Sequence, residues 1–344
     1  MSRQAVRALV SSLVLASGVA VVAAGGRGVA AASDASITLY SGQHVQTTQA
    51  LVNGFEKKTG ITVNLRSDDE DVLADQIVTE GSHSPADVFF TENSPPLQFL
   101  ASKGLLASID RSTLARTPSK YNSATGRWVG ISARVSVMVY NTNLLKKSQL
   151  PTSAMDLAQP QWKGKLAIAG AETDFQPIVT AVARTYGTKP ALKWLEALKA
   201  NAGSHVYPDN ETIADEVNRG QAAIGIINQY YWYRERDEIG ASNMHSAIAY
   251  FAPHDVGYVL DVSGAAILKS STHKAEAQEL VAYLNSKAGQ ETIVHSQSWE
   301  YPIASGVTRN NETPFNQLQP NPISMAELGT GAEAIKLLQE AQLL

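Results

Sequence analysis

Two adjacent tyrosines, Tyr230 and Tyr231, follow directly on the apolar run AAIGII at 222–227. A short apolar run of this kind predicts a buried strand, so we expect both phenols where that strand ends. A phenol binds a metal well only after losing its proton, and its ordinary pKa is ~10. A trivalent cation displaces that proton, and tyrosinate ligates ferric iron in haem proteins. The alternative is that both rings only pack the start of a helix.

Two further polar side chains follow other predicted strands. His44 comes just after ITLYSG at 37–42, and Glu92 ends ADVFFTE at 86–92. Ligands of open α/β sheets bind beyond the carboxyl ends of the strands, so we expect both side chains at one rim. Together with two phenols they make a hard, mostly oxygen donor set, which favours a highly charged cation over a soft metal. The residues therefore predict a ferric-iron site.

The elements that position these residues alternate between strand and helix. In the first part of the chain we predict strands at 37–42, 61–67 and 86–92 and helices at 46–60, 68–81 and 95–104. Further on we predict strands at 162–170 and 222–227 and helices at 189–203, 273–286 and 332–344. This alternation predicts the α/β class with a mainly parallel sheet.

Two long β-rich runs, 130–141 and 256–269, stand far apart in the sequence. Strands of this kind suit a crossing between two α/β lobes, with a hinge and a cleft that holds a small ligand. About 310 residues are also too many for one compact core. We predict an N-terminal lobe of 33–133 plus 261–311 and a C-terminal lobe of 134–260 plus 312–344.

The first 32 residues have the pattern of a secretory signal peptide. Arg3 and Arg7 precede an apolar run at 8–24, and three alanines follow at 30–32. An uncleaved membrane anchor is the alternative, although the run is marginal in length for a spanning helix. We therefore predict export to the periplasm or the cell envelope.

Composition excludes several classes of protein. Without residues 1–32 the chain keeps 25 of its 28 basic residues and all 32 acidic ones, a formal net charge of −7. This balance argues against a nucleic-acid partner. The chain has no cysteine, which excludes disulfides, thiolate metal sites, thiol nucleophiles and a lipid-modified N-terminal cysteine. We expect a monomer whose mature chain does not insert into a membrane.

Motifs typical of enzymes are absent from the sequence. It contains no G-x-S-x-G, no phosphate-binding G-x-x-x-x-G-K, no H-E-x-x-H and no dinucleotide fingerprint. Its seven histidines are scattered, and none is paired at helical ligand spacing. We predict a binding protein rather than an enzyme. Two alternatives are a metal-free solute-binding protein for an organic or oxyanion ligand, anchored by Arg134 and asparagines, and an extracellular metal-dependent hydrolase.

Several segments together carry a resemblance to a known family. ITLYSGQH, SPADVFFTEN and INQYYWY (37–44, 84–93 and 227–233) resemble the segments that bear a histidine, a glutamate and a double-tyrosine ligand in the periplasmic ferric-ion-binding proteins. PQWKGKLAI, VSGAAILK and EYPI (160–168, 262–269 and 300–303) match framework segments of the same family. The resemblance covers almost the whole mature chain.

The family, also called bacterial transferrins, has the type II periplasmic binding fold: two α/β lobes joined by two crossing strands. The resemblance implies that His44, Glu92, Tyr230 and Tyr231 bind Fe3+ in the cleft between the lobes. It also implies delivery of the iron to an ABC permease and its ATPase. The remaining coordination positions of the family go to water and a synergistic anion, often phosphate or carbonate.

The anion pocket is where this sequence departs from the family. The resemblance implies anion contacts from Arg134, Asn210, Asn228 and Thr173, but a Ser-Gly-Ala turn of the family is replaced by Glu-Thr-Asp at 172–174. Two carboxylates beside an anion repel it. The acids either point away as a solvated pair, or one replaces the anion as a ligand, or the anion is carbonate held by the arginine. We favour the third.

The tyrosine motif also needs a suitable backbone. We expect an irregular turn after the strand at 222–227, so that both phenols aim at one ion. Trp232 and Tyr233 are expected to pack, and RERDE at 234–238 to begin the next helix.

Overall fold

The computed structural model describes residues 35–309 and 313–344. The predicted signal peptide, 1–32, lies outside the described residues. None of the helices in the described part of the chain combines the length and the apolar character needed to cross a membrane. The boundaries of the two predicted lobes stay a prediction.

The strands of the described residues form one curled, mixed sheet. They are β1 (Ser36–Ser41), β2 (Thr62–Ser67), β3 (Val88–Thr91), β4 (Trp128–Asn141), β5 (Leu166–Ala167), β6 (Ile224–Asn228), β7 (Ser246–Ala249), β8 (Leu260–Ile267) and β9 (Tyr301–Pro302). Their order is β2-β1-β3-β8-β4-β6-β5, and β7 and β9 both pair with β4. The predicted α/β class is confirmed. The expectation of a mainly parallel sheet is wrong, because β4 pairs antiparallel with β6, β7, β8 and β9, and β3 pairs antiparallel with β8.

The first part of the sheet contains the expected parallel strands. β1 pairs in parallel with both β2 and β3. β5 and β6 form another parallel pair in the second part. The predicted strand at 162–170 is mostly loop, because only two of its residues pair with β6.

The two long β-rich runs form strands that link the two parts of the sheet. The first half of β4 pairs antiparallel with β8, from Trp128 opposite Ala266 to Val135 opposite Leu260. The second half of β4 pairs with β6 and β7. On its other side β8 pairs with β3. Both predicted crossing strands are therefore present, side by side at the centre of the sheet.

Helices cover the sheet. They are α1 (Val45–Thr59), α2 (Glu70–Glu80), α3 (Ser94–Ser102), α4 (Arg111–Leu114), α5 (Gln176–Tyr186), α6 (Thr188–Ala202), α7 (Asn210–Asn218), α8 (Gln229–Ile239), α9 (Lys274–Leu284), α10 (Lys287–His295), α11 (Met325–Leu328) and α12 (Ala332–Glu340). The helices expected from periodicity are found within a few residues of their predicted bounds. α1 ends at Gly60, whose φ of 76° is left-handed, with Lys57 and Lys58 in the last turn.

The sheet is buried on both faces. Phe89 and Phe90 are consecutive in β3, so their side chains point to opposite faces. Phe89 belongs to a core cluster with Trp128, and Phe90 belongs to a second cluster with Phe55. Strands buried on both faces have nearly continuous apolar sequences, which explains the run VFFT in β3.

The expected irregular turn before the tyrosines is wrong. β6 ends at Asn228, which is also the N-cap residue of α8, so no residue separates strand from helix. Tyr230 and Tyr231 lie in the first turn of α8. The segment at 234–238 is the later part of this helix and not its start.

Helix α2 depends on its N-cap. Asp69 Oδ1 accepts hydrogen bonds from the backbone N–H groups of Asp71 (2.9 Å) and Val72 (3.4 Å). We expect Asp69→Ala to lower the free energy of unfolding by about 1 kcal/mol, because two N–H groups lose their acceptor. Chemical denaturation of the metal-free protein measures the change. Asp75→Ala, an exposed site inside the same helix, is the matched control. An equal loss in both variants would contradict a capping role.

Candidate metal centre

The sheet brings the predicted ligands of the first lobe to one edge. Ser41, at the end of β1, lies opposite Phe90 near the end of β3, and both strands run in the same direction. The residues that follow these ends are His44 and Glu92. Gly42 fits here because an added Cβ would lie 2.3 Å from Glu70 Cβ. The turn after β1 therefore packs directly against the start of α2.

The two tyrosines reach the same region from the other part of the sheet. Tyr230 and Tyr231 are buried, at 0% and 4% exposure, and their ring centroids are 4.2 Å apart. His44 packs edge-on against both rings, at 5.3 and 5.8 Å between centroids. The Tyr230 hydroxyl donates to Glu92 Oε1. His44 Nε2 lies 2.9 Å from the same carboxylate oxygen. The four predicted metal ligands are therefore gathered in one cluster.

The tyrosine hydroxyls contact different carboxylates of the acidic turn. The Tyr230 hydroxyl donates to Asp174 Oδ2 at 3.1 Å, in addition to its bond with Glu92. The Tyr231 hydroxyl donates to Glu172 Oε1, also at 3.1 Å. Successive residues of a helix point about 100° apart, which gives each phenol its own acid.

The acidic turn points into the site. Asp174 is 6% exposed, and its Oδ1 accepts from the Asn93 side chain at 2.9 Å. Glu172 accepts a hydrogen bond from the Tyr231 hydroxyl. A solvated pair of acids pointing away from the site is therefore wrong, because both carboxylates are hydrogen-bonded to site residues.

The predicted anion contacts are occupied by protein groups in three cases. The backbone N–H and the side-chain amide of Asn210 both donate to Glu172 Oε2, the former at 2.8 Å. The Asn210 Oδ1 atom accepts from the Asn228 backbone N–H at 3.1 Å. Thr173 Oγ1 lies 3.5 Å from the side-chain nitrogen of Asn93. Asn210 therefore binds a carboxylate and the backbone of Asn228, and Thr173 contacts Asn93.

Arg134 is the fourth predicted anion contact and is 1% exposed. Its Nη2 atom pairs with Glu300 Oε1 and lies 3.8 Å from Glu92 Oε1. Its Nε and Nη1 atoms are buried and have no hydrogen-bond partner among residues 35–309 and 313–344. Arg134 therefore keeps two buried donors that no described residue uses.

Several residues of this site were not identified from the sequence. Glu70 is 2% exposed, and its Oε2 accepts from the backbone N–H groups of Glu92 (2.7 Å) and Asn93 (2.9 Å). In the sequence, nothing distinguishes Glu70 from the other acids of the run at 68–71. Glu300 lies in a segment matched only as framework. The Nη1 atom of Arg234 lies 3.2 Å from His44 Nε2, and nothing in the sequence indicates this contact.

The electrostatics of the site are dominated by acids. Burial raises the pKa of Glu92, but the charge and hydrogen bond of His44, together with Arg134 and Tyr230, lower it to about 2. Burial and the charge of Glu92 raise the pKa of Asp174 to about 6. Burial and the neighbouring acids raise the pKa of Glu172 well above its usual range.

The pKa of each of the two phenols is also raised well above its ordinary value, first by burial and then by the charge of Asp174. Both remain protonated unless a cation replaces their protons. Within the described residues, no group of three His, Asp or Glu side chains is arranged to hold a metal ion. Phenol and carboxylate oxygens are hard donors, which suit a strongly charged cation better than a soft one.

Comparison with known proteins identifies the relatives of the chain. A family model described as bacterial extracellular solute-binding protein matches residues 41–291. The Fe(3+)-binding periplasmic protein of Serratia marcescens is 38% identical over 92% of this chain and 93% of its own length.

Two solved structures are also similar. Iron-bound HitA from Pseudomonas aeruginosa superposes with a TM-score of 0.85 at 39% identity, over 89% of this chain and 99% of that one. A Trichodesmium protein (IdiA, FutA) in complex with iron and citrate has a TM-score of 0.77 at 29% identity, over 90% and 100%. The expected periplasmic binding fold is confirmed by these structures.

Because the pKa of Asp174 is raised, ionisation of its carboxyl destabilises the folded protein, and this effect depends on pH. The value of about 6, against 3.8 ordinarily, means that the folded state holds the proton more firmly. The free energy of unfolding therefore falls as pH rises from about 4 to about 6. We expect Asp174→Asn to stabilise the metal-free protein near neutral pH by on the order of 1–3 kcal/mol, with little effect near pH 4.

Denaturation of the metal-free variants at both pH values measures this difference, with exposed Asp75→Asn as the control. A loss of stability in Asp174→Asn at neutral pH would contradict the assignment of an unfavourable charge.

Proposed function

The chain belongs to the bacterial extracellular solute-binding proteins, and from this membership and the geometry of the cluster we propose that it captures ferric iron outside the cytoplasm. The observation that carries the proposal is the pair of buried phenols, Tyr230 and Tyr231, gathered with His44 and Glu92. Two of the similar proteins are named or described as iron-binding, which supports the same conclusion.

The proposed ligands match the charge of the ion. Tyr230 and Tyr231 as phenolates and Glu92 as carboxylate supply three negative charges, which balance Fe3+. His44 adds a neutral nitrogen donor. Arg134 and Glu300 form a buried pair beside them, so the arginine keeps Glu92 ionised without adding uncompensated charge. Divalent ions displace phenol protons poorly, which favours the ferric state.

The proposed binding uses the two parts of the sheet as two lobes. We assign them to 33–133 plus 261–311 and to 134–260 plus 312–344. His44 and Glu92 lie on the first lobe and both tyrosines on the second, so an ion bound to all four holds the lobes together. Movement about β4 and β8 would open and close the site.

The proposed role is transport and not catalysis. The closed, iron-loaded protein would be recognised by an ABC permease, with an ATPase supplying the energy for import. The relatives are binding proteins, and the one from Serratia is periplasmic by name, so we propose the periplasm or cell envelope as the location. We propose a monomer, because one chain supplies all four ligands.

A second candidate is a metal-free binding protein for a small oxyanion. It is favoured by Arg134, whose buried Nε and Nη1 atoms have no hydrogen-bond partner in the described part of the chain. Elemental analysis after incubation with metal salts separates the candidates. One iron per chain supports the first, no metal supports the second, and zinc would indicate a hydrolase.

We expect the protein with ferric salt to be coloured, because phenolate-to-iron charge transfer absorbs visible light. Tyr231→Phe should lose most of this absorbance, since it removes one of two phenolates. Tyr186→Phe, an exposed site, is the control and should keep the colour. A colourless ferric complex of the unaltered protein would contradict the assignment.

Iron binding should weaken as pH falls, because protons compete with iron for both phenols. We expect roughly two protons to be released from the tyrosines per ion bound, and one fewer in Tyr230→Phe. Calorimetry in buffers of different ionisation enthalpy counts them. The same iron donor is used for both proteins, so its own protons cancel in the comparison. Equal proton release by the two proteins would show that Tyr230 is not a ligand.

A further inference from the structure

Glu172 is held as a bound anion would be held. Its Oε2 atom accepts from the backbone N–H of Asn210, the first residue of α7, at 2.8 Å, and from the Asn210 side chain. The amide is oriented by the Asn228 backbone N–H, which donates to its oxygen at 3.1 Å. Backbone N–H groups at a helix N-terminus are common sites for anions. The carboxylate therefore occupies the donors that the sequence assigns to an exogenous anion.

The other oxygen of Glu172 faces a proposed iron ligand. Its Oε1 accepts from the Tyr231 hydroxyl at 3.1 Å. This carboxylate has one oxygen on a helix N-terminus and the other beside a phenol. It can therefore connect the helix to a ferric ion bound at the tyrosines. When iron takes the Tyr231 proton's place, the proton leaves to solvent and this oxygen loses its hydrogen-bond donor. It is then free to bind the ion.

The adjacent cavity disfavours a second anion. It has a volume of about 270 Å³ and contains no lysine or arginine among its described lining residues. Six acids line it: Asp69, Glu70, Glu92, Glu172, Asp209 and Glu211. Walls of one sign concentrate ions of the opposite sign and repel others. A phosphate or carbonate entering here would meet repulsion, whereas a ferric ion would be attracted.

We infer that the Glu172 carboxylate takes the coordination position that other members give to an exogenous anion, so that this protein binds ferric iron without phosphate or carbonate. The inference rests on the proposed function. Glu172 is preferred over Asp174 because Glu172 lines this cavity together with His44, Glu92 and Tyr231, whereas Asp174 is not among its described lining residues. It is an alternative to the expectation of carbonate held by Arg134, and the experiment below tests both.

The experiment measures iron binding with and without added anion. Metal-free protein in a non-coordinating buffer purged of carbon dioxide receives ferrous perchlorate, which air freed of carbon dioxide oxidises in place. Bound iron is counted by elemental analysis and followed by charge-transfer absorbance. Inorganic phosphate or bicarbonate is then added to a parallel sample. We expect one iron per chain in both samples and unchanged competition by a chelator.

Glu172→Ala should bind iron weakly without anion, by at least the roughly 10- to 100-fold that loss of an outer-shell partner costs. Added phosphate or bicarbonate should restore its binding, because the small side chain leaves the Asn210 donors free. Glu172→Gln should also bind weakly but should not be restored, because the neutral amide still fills the position. Glu196→Ala, an exposed site on α6, is the matched control. Thermal unfolding of each variant confirms that it is folded.

Each outcome separates the inference from the proposed function. If the unaltered protein binds iron only after phosphate or bicarbonate is added, the inference fails and iron binding stands. If Glu172→Ala binds as the unaltered protein does without anion, Glu172 is not the ligand and the inference also fails. If no sample of the unaltered protein binds iron, the proposed function itself fails.

Discussion

The concentration of carboxylates around two buried phenols is the constraint on which the rest of this structure depends. Glu92, Glu172 and Asp174 all lie within hydrogen-bond reach of a tyrosine hydroxyl. Like charges packed this closely in a poorly solvated place are unfavourable unless donors or a cation compensate them. Arg134, whose Nη2 atom lies 3.8 Å from Glu92 Oε1, also pairs with Glu300. Repulsion between these carboxylates therefore destabilises the metal-free protein, and a bound cation would offset it.

The framework around the acids consists of directed hydrogen bonds from the backbone. Glu70 is buried and fixes the end of β3 by accepting hydrogen bonds from the backbone N–H groups of Glu92 and Asn93. At the start of α7, the backbone N–H of Asn210 donates to Glu172 Oε2 and so holds that carboxylate in place. Burial, followed by the charges of Glu92 and Asp71, raises the pKa of the Glu70 carboxyl well above its usual range. Backbone N–H groups at the ends of strands and helices thus replace water as the hydrogen-bond donors of these buried acids.

The sequence was sufficient for the α/β class and for most elements, because periodicity and glycine punctuation are local signals. The positions of His44, Glu92 and the two tyrosines could be predicted because each follows the end of a strand. His44 and Glu92 follow the parallel strands β1 and β3, and the tyrosines lie in the first turn of α8, directly after β6. The carbonate on Arg134 stays a prediction, and it was made without the donors that Asn210 offers to Glu172. Those donors lie 38 residues away in sequence and become neighbours only in the fold.

The expectation of an irregular turn was wrong. Adjacent ligands suggested a distorted backbone, whereas a regular first helical turn directs Tyr230 and Tyr231 to separate acids of one cluster. Glu70, Glu300 and Arg234 were not identified, since a charged residue in a charged segment has no local sign of burial. What sequence reasoning lacks here is long-range contact, and most of the carboxylate network is long-range.

The position of β8 in the sheet has a consequence for how the chain folds. β8 lies between β3 and β4, although about 170 residues separate it from β3, as the pairing of Thr91 with Gly264 shows. Non-local strand pairing of this kind slows folding, because loop closure must precede the contacts that reward it. Until residues 260–267 are in place, β3 presents an unpaired edge. β3, which positions Glu92, joins β4 only through β8, so a chain interrupted before β8 lacks the centre of its sheet.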